Sequence, residues 1–274
     1  MTGPEGIFNI DNKIIIITGG EGVLGSTLAV DLASLGARIV IIGINEGRGR
    51  ETEKEIRAGG GKAVFHNASV LDRKALTEIR QLVISEWGTA DVLINAAGGN
   101  MPGATVGEDQ TVFDMDIDDF RKVSELNLDG TLIPSLVFGE QMAEQGRGVI
   151  VNFSSMASIR AVSRVAGYSA AKAGVDNFTR WLAVEMAKKC GDGIRVNAIA
   201  PGFLVTNQNR DLLLKKDGSL TERGKNIIKH TPFGRFGEPE ELTGTVLWLI
   251  SGASSFVTGT VIPIDGGFSA YSGV

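Results

Sequence analysis

The chain is poor in the residues that build disulfide frameworks and metal centres. Its 274 residues include one cysteine, Cys190, and two histidines, His66 and His230. A single cysteine cannot form a disulfide within the chain, which fits a reducing compartment. No cluster of cysteine and histidine has the spacing of metal ligands, so we expect no catalytic metal.

A basic charge excess and long apolar runs are also absent. The net charge is −5 and no basic run stands out, so nucleic acid is not an expected partner. The longest aliphatic run near the start, residues 14–17, is far shorter than the ~18 residues of a membrane span. The first six residues lack the basic segment of a signal peptide. These features predict a cytoplasmic protein with no membrane partner.

Glycine, by contrast, is abundant, with 37 residues against seven prolines and no triplet period. Glycine in such numbers serves tight turns and close backbone approaches. Between the turns, short β-branched runs alternate with stretches of helical period. The predicted strands cover residues 13–18, 38–42, 63–66, 91–95, 148–153, 194–200 and 260–264.

The segments between these strands read as helices. The leucines at 24, 28, 32 and 35 share one helical face, and the other helices are predicted near 49–58, 72–86, from 118, 131–144, 168–189, 209–215, 221–230 and 239–250. Strands that alternate with helices predict an α/β fold, a doubly wound parallel sheet of about seven strands with helices on both faces. No linker, repeat or low-complexity segment interrupts residues 1–274, so a single domain is expected.

A glycine-rich turn follows the first predicted strand. It reads Thr18-Gly-Gly-Glu-Gly-Val-Leu-Gly25 and leads directly into the first long helix. Backbone without side chains can approach a pyrophosphate here, and the helix N-terminus offers free N–H groups to an anion. The turn therefore indicates a dinucleotide site, although a glycine turn that only lets a helix pack on a strand is the alternative.

The end of the second strand bears on which dinucleotide is used. An acid there would bind the adenosine ribose and repel a 2′-phosphate, but the place falls on Gly43. Asn45 and Arg48 suit a phosphate, whereas Glu21 would repel one. These residues favour NADP slightly and leave NAD open.

Three side chains carry the expected chemistry. Tyr168 and Lys172 lie four residues apart at the start of a predicted helix and so share one face. An ammonium lowers the pKa of a nearby phenol, which suits Tyr168 to exchange a proton with a substrate hydroxyl. Ser155, at the end of the fifth predicted strand, suits the holding of the substrate oxygen. Taken alone, a Tyr-x-x-x-Lys pair is more often a surface feature.

In combination and in order, these motifs resemble the short-chain dehydrogenase/reductase family, whose fold is Rossmann-type, over nearly the whole chain. The motifs on which the resemblance depends are the glycine turn, Asn95-Ala-Ala-Gly98, Ser155, the Tyr168/Lys172 pair and Pro201-Gly202. The resemblance implies Ser155, Tyr168, Lys172 and Asn127 as the catalytic residues, with Asn127 holding a water that links the lysine to solvent. It implies cofactor contacts from Gly19, Glu21, Gly22, Val23, Leu24, Asn45, Ser69, Val70, Asn95, Ala96, Ala97, Gly98, Tyr168, Lys172, Pro201 and Gly202.

The chain departs from the family pattern at some of these places. Val23 stands where the family has its middle glycine, and a glycine lies one place earlier, at Gly22. Ser69 replaces an aspartate that the family has near the adenine. Asn95 has an alternative role as a hydrogen bond that ties the sheet together, and Asn127 as a residue that kinks or caps a helix.

The substrate is expected to lie under the segment of about residues 203–235. This segment is rich in amides and lacks an obvious apolar wall for a steroid or an acyl chain. Asn100, Arg160 and Arg164 add polar groups, and Arg160 and Arg210 are the predicted carboxylate binders, with Asn100 as a further substrate contact. Together they predict a small polyhydroxylated acid, while the alternative is that they solvate a loop or make subunit contacts.

Four segments resemble the D-mannonate oxidoreductase branch of the family more closely. They are Ala97–Asn100, Pro201–Arg210, Gly218–Gly224 and Gly266–Val274. The resemblance implies reduction of the C5 keto group of D-fructuronate to give D-mannonate, and a C-terminal tail that packs in a homotetramer, for which the alternative is a tail packed on its own subunit. The alternatives are a gluconate 5-dehydrogenase, a 3-oxoacyl carrier-protein reductase and, in another class, a dinucleotide sensor without catalysis.

Overall fold

The computed structural model describes residues 3–206 and 209–273. Asn207 and Gln208, two of the amides in the predicted substrate segment, lie outside the described residues, as does Val274 at the end of the tail. Within the described part of the chain, no helix is both long and apolar enough to cross a bilayer. The same residues contain no group of three or more His, Cys, Asp or Glu side chains placed to hold a metal ion.

Seven parallel strands form one sheet, which confirms the predicted fold class. In spatial order the strands run β3, β2, β1, β4, β5, β6, β7. The bounds are Ile14–Thr18 (β1), Arg38–Gly43 (β2), Lys62–Asn67 (β3), Val92–Asn95 (β4), Gly148–Phe153 (β5), Ile194–Pro201 (β6) and Val261–Ile264 (β7).

Helices cover both faces of the sheet. They are Pro4–Ile7 (α1), Val23–Ser34 (α2), Glu46–Ala58 (α3), Arg73–Glu86 (α4), Ile117–Ser124 (α5), Gly130–Gln145 (α6), Ala166–Cys190 (α7), Arg210–Leu213 (α8), Glu222–His230 (α9) and Thr243–Ile250 (α10). Strand residues alternate between two cores, so that Ile15 and Ile17 pack with α2 and α10, while Ile14 and Ile16 pack with α4, α6 and α7. Burial on both faces explains why β1 is apolar at consecutive positions.

Local capping sets helix boundaries that differ from prediction in two places. Asp72, at the predicted start of this helix, caps α4 and accepts the N–H of Ala75. Before α5, however, the cap is Asp116 and not Asp118, because its carboxylate accepts the N–H groups of Asp118 and Asp119. The last predicted helix also begins with a short 3₁₀ turn, Pro239–Leu242, which continues into α10.

The strand order reverses between β1 and β4. The chain leaves β1 toward β2 on one side and returns through β4 on the other. The turns that follow these two strands therefore diverge and open a crevice at the carboxyl edge of the sheet, where doubly wound folds bind their ligands.

Candidate active site

Three adjoining cavities occupy this crevice. The first, about 350 Å³, lies between the turns after β1, β2 and β4. The second, about 160 Å³, lies at the ends of β4, β5 and β6, and the third, about 620 Å³, lies outside it. Gly98 borders the first two cavities, and Ser155 and Tyr168 border the last two. The arrangement suits one elongated ligand that meets a second one end-on.

The glycine turn after β1 forms a close backbone cradle in the first cavity. Gly19 has φ +66°, and a side-chain carbon there would lie 2.7 Å from the backbone of Ala97. The N–H of Gly22 donates to the Gly19 carbonyl at 3.0 Å, and Gly22 is the N-cap of α2. This turn shows how the shifted glycine is accommodated: Gly22 closes the loop and Val23 begins the helix. The free N–H groups of α2 then face the cavity, as binding of a pyrophosphate requires.

Most predicted cofactor residues line these cavities. The first cavity is bordered by Gly19, Glu21, Gly22, Val23, Leu24, Asn45, Ser69, Val70, Ala96, Ala97 and Gly98, and the second by Tyr168, Lys172, Pro201 and Gly202. The residues present therefore fit a dinucleotide whose pyrophosphate lies at α2.

Asn95 is the exception, and its predicted cofactor contact is corrected. Its amide donates to the Ser135 hydroxyl at 2.8 Å and to the Asn152 side chain at 2.9 Å. The side chain is 1% exposed and points into the protein. Asn95 therefore links β4 to β5 and α6, which is the alternative role considered above.

Ser155, Tyr168 and Lys172 come together at the second cavity. Ser155 lies two residues after the end of β5, and Tyr168 and Lys172 lie in the first two turns of α7. The Ser155 side chain lies near enough to the Tyr168 hydroxyl to influence its pKa, and both residues border the second cavity. Lys172 is buried, its ammonium lies 5.6 Å from the centre of the Tyr168 ring, and it donates to the Phe153 carbonyl at 2.7 Å.

Burial dominates the proton affinities of this pair. It raises the pKa of the Tyr168 hydroxyl, which the Ser155 side chain partly opposes. Burial lowers the pKa of Lys172 to about 8, although the Asp176 carboxylate favours the charged form. The expectation that the ammonium lowers the pKa of Tyr168 does not hold in this structure, because the cost of burying a phenolate exceeds the effect of the neighbouring groups.

Asn127 lies where the helical hydrogen-bond pattern widens. It belongs to a π-helical segment, Glu125–Asp129, between α5 and α6. Its amide donates to the Gly99 carbonyl at 2.7 Å and accepts the Gly99 N–H at 3.0 Å. A side-chain carbon on Gly98 would lie 2.6 Å from the Asn127 carbonyl oxygen and 3.3 Å from the Lys172 ammonium. Asn127 and Lys172 thus converge on Gly98, at the wall shared by the first two cavities.

A buried aspartate beside the catalytic candidates was missed in the sequence. Asp176, 6% exposed, accepts from the hydroxyls of Ser154 and Ser158, the latter at 2.7 Å. These serines flank Ser155, so the contact fixes the turn that carries it. The signal in the sequence was the spacing of Asp176, one helical turn after Lys172.

The third cavity combines an apolar wall with polar groups. Its apolar lining comprises Met101, Pro102, Met156, Val162, Val165, Phe203, Leu212 and Leu213. The predicted lack of an apolar wall was therefore wrong, because α8 and the turn before α7 supply one. Asn100 borders the cavity with a buried side-chain oxygen that has no hydrogen-bond partner within the described residues.

Two arginines face this cavity, but neither of the two predicted carboxylate binders does. Arg160 is exposed and donates to the Ser269 carbonyl at 2.7 Å, and Arg210 points outward from α8. The lining arginines are instead Arg164 and Arg223. This placement corrects the predictions for Arg160 and Arg210.

Arg164 and Arg223 differ in how their charges are satisfied. Arg164 donates to the Val106 carbonyl at 2.8 Å and forms an ion pair with Glu108 at 3.1 Å. Arg223, near the start of α9, donates to the neutral hydroxyl of Ser163 at 3.3 Å. Burial and the nearby Arg164 charge lower the pKa of Arg223. Arg223 therefore lies where an anion in the cavity would be favoured.

Comparison with known proteins agrees with this geometry. A family model described as enoyl-(acyl carrier protein) reductase matches residues 21–269. The chain is 45% identical to the uncharacterized oxidoreductase UxuB of Bacillus subtilis over 275 residues, or 97% of this chain and 98% of that protein.

Solved structures with bound nucleotides are similar over the same length. A candidate D-mannonate oxidoreductase from Haemophilus influenza with bound NAD is 46% identical with a TM-score of 0.90, over 97% of this chain and 98% of that one. A gluconate 5-dehydrogenase from Burkholderia cenocepacia, in complex with NADP and tartrate, is 30% identical with a TM-score of 0.85, over 97% and 98%.

Proposed function

The chain belongs to the short-chain dehydrogenase/reductase family and is an NAD(P)-dependent oxidoreductase, and on that premise we propose that it interconverts D-fructuronate and D-mannonate. The observation that supports the proposal is the lining of the third cavity. Tyr168 and Ser155 border it and suit a ketone, and Arg223 borders the same cavity and suits a carboxylate. Asn100, with its unpaired side-chain oxygen, suits a substrate hydroxyl. The similarity to the candidate D-mannonate oxidoreductase adds support.

In the proposed reduction, Tyr168 donates the proton. A phenol with the ordinary pKa of about 10 is protonated at neutral pH, and burial raises the pKa of Tyr168 further, so the side chain carries the proton that the ketone oxygen needs. Ser155 donates a hydrogen bond to the same oxygen as its negative charge grows. A nicotinamide cofactor held along the first two cavities would supply the hydride for the C5 carbon. The convergence of Lys172 and Asn127 at Gly98 supports a route by which Tyr168 recovers its proton.

We propose that residues 203–235 cover the substrate. Phe203, Leu212 and Leu213 supply apolar walls, and Arg223 supplies the cation for the carboxylate. A substrate held at its acid end by Arg223 would present its keto carbon to Tyr168, since both residues border the same cavity.

The apolar wall favours a second candidate, an acyl or steroid-like ketone. The cavity of about 620 Å³ is large for a six-carbon acid, and much of its lining is apolar. Gluconate-type substrates are a third candidate, because the same arginines could bind their carboxylate.

Initial rates test these candidates directly. The purified protein should be assayed with NADH and NADPH against fructuronate, 5-ketogluconate and acetoacetyl thioester at equal concentrations. We expect kcat/KM to be highest for fructuronate, and mannonate to be oxidised in the reverse direction. Equal or faster turnover of either other ketone would overturn the choice of substrate.

We further propose a cytoplasmic homotetramer, as the family resemblance implies. Phe268 of the tail packs against Phe203 of the same chain at a ring distance of 5.2 Å, which agrees with the alternative for the tail, so the support for the tetramer is the resemblance. Light scattering is expected to give a mass four times the 28.9 kDa of one chain.

A further inference from the structure

The carboxylate of Glu21 lies at the end of β2 although Glu21 belongs to the turn after β1. One carboxylate oxygen, Oε1, accepts the N–H of Ile44 at 2.9 Å. The group occupies the space that a side chain on Gly43 would take, since a carbon added to Gly43 would overlap it. Because residue 43 is a glycine, the Glu21 carboxylate has room to lie beside it.

The second oxygen, Oε2, is buried and has no hydrogen-bond partner within residues 3–206 and 209–273. Glu21 and Gly43 both border the first cavity, beside Asn45, Ser69 and Val70. A buried carboxylate oxygen without a donor is costly, which is a reason to look for a ligand that donates a hydrogen bond there.

We propose that Glu21 selects NAD over NADP by accepting a hydrogen bond from the 2′-hydroxyl of the adenosine ribose. An acid at the end of the second strand ordinarily has this task in such folds, and here the β1 turn supplies the carboxylate instead. A 2′-phosphate in the same place would meet a negative charge and offer no donor. This assignment replaces the slight preference for NADP that Gly43, Asn45 and Arg48 suggested in the sequence.

The groups that favoured a phosphate are less well placed. The side-chain Oδ1 of Asn45 caps α3 by accepting the N–H of Arg48 at 3.1 Å, which leaves only the Nδ2 group of Asn45 to meet a ligand. Arg48 borders the cavity with an exposed side chain. An exposed guanidinium attracts a phosphate more weakly than a buried carboxylate repels it.

The inference rests on the proposed dinucleotide chemistry, but its test needs no sugar acid. Dissociation constants of NADH and NADPH are measured by fluorescence titration of the full chain, for wild type, Glu21→Gln and the matched control Glu46→Gln. Glu46 is an exposed acid at the start of α3 that does not border the cavity. A failure with fructuronate would leave these titrations interpretable, so the two proposals fail separately.

We expect wild type and Glu46→Gln to bind NADH at least about 10-fold more tightly than NADPH, the size of one hydrogen bond to a charged group. Glu21→Gln is expected to lower that ratio about 10-fold, with an unchanged melting temperature in the absence of nucleotide. A wild type that favours NADPH, or a Glu21→Gln ratio within twofold of wild type, overturns the assignment.

A second pair of variants tests the placement of the carboxylate. Gly43→Ala should displace Glu21 and weaken NADH binding as Glu21→Gln does. Moving the acid, in Glu21→Ala with Gly43→Asp, should restore the preference for NADH that Glu21→Ala alone lacks. If the double variant discriminates no better than Glu21→Ala, the position of the carboxylate is not what selects the nucleotide.

Discussion

At the scale of single residues, burial decides the state of the proton-transferring groups. The Lys172 ammonium is held in the protein by the Phe153 carbonyl and by the charge of Asp176, and its pKa still falls to about 8. The same surroundings raise the pKa of the Tyr168 phenol. Burial of the Lys172 ammonium therefore costs free energy of folding below about pH 8.

This cost predicts a pH dependence of stability. Between pH 8 and 10 the unfolded chain still binds the Lys172 proton while the folded chain releases it, so the free energy of unfolding rises with pH. Relative to Lys172→Met, wild type should gain about 2 kcal/mol over this range. Denaturant titrations at several pH values measure the difference, with Lys188→Met, an exposed lysine of α7, as the control. Parallel curves for wild type and Lys172→Met would contradict the account.

Arg223 and Arg160 lie in different environments, so the same substitution should change the KM at Arg223 and leave it nearly unchanged at Arg160. Arg223→Met should raise the KM for fructuronate about 10- to 100-fold with little change in kcat, because a charged hydrogen bond is lost from binding. Arg160→Met removes an exposed side chain that bonds the Ser269 carbonyl, and its KM should stay within about twofold of wild type. Steady-state kinetics separate the two, and a larger effect from Arg160→Met would restore the original prediction.

At the scale of elements, α3 shows how tightly a helix seats on its strand. Gly49 faces β3, and a side-chain carbon there would overlap the Phe65 ring. Gly47 lies two residues earlier, and a side-chain carbon there would have no neighbour closer than 3.6 Å. The two glycines therefore serve different ends, although both stand in the same polar sequence.

Alanine at each position should move stability in opposite directions. Gly49→Ala should lower the free energy of unfolding by about 1–3 kcal/mol through overpacking against Phe65. Gly47→Ala should raise it by about 0.5 kcal/mol, since alanine is the better helix former. Thermal and urea unfolding of the two variants measure this, and a shift of the same sign in both would count against the packing described.

Elements were also what could be predicted best from the sequence. Strands such as β1 and caps such as Asp72 are encoded within a few neighbouring residues, so local patterns were sufficient. The cap at Asp116 was missed because two acids two places apart compete for the same helix start.

At the scale of the whole molecule, prediction failed where distant segments meet. Arg223 reaches the cavity because α9 folds over it, and Arg160 leaves it because the tail captures its guanidinium. Glu21 fills the space beside Gly43, a contact across 22 residues that neither strand signals alone. The order of the family motifs was sufficient to locate Ser155, Tyr168 and Lys172. Ser155 lies just after the end of β5, and Tyr168 and Lys172 lie at the start of α7.

The central claim is that Tyr168 passes the proton to a ketone in the cavity outside the dinucleotide crevice. Turnover of fructuronate by Tyr168→Phe tests it most directly, with NADH affinity measured on the same sample and Tyr271→Phe, in the exposed tail, as the matched control. We predict that kcat falls about 10²- to 10⁴-fold in Tyr168→Phe while NADH binds as in wild type, and that Tyr271→Phe is unaffected. Turnover by Tyr168→Phe at the wild-type rate would contradict the account.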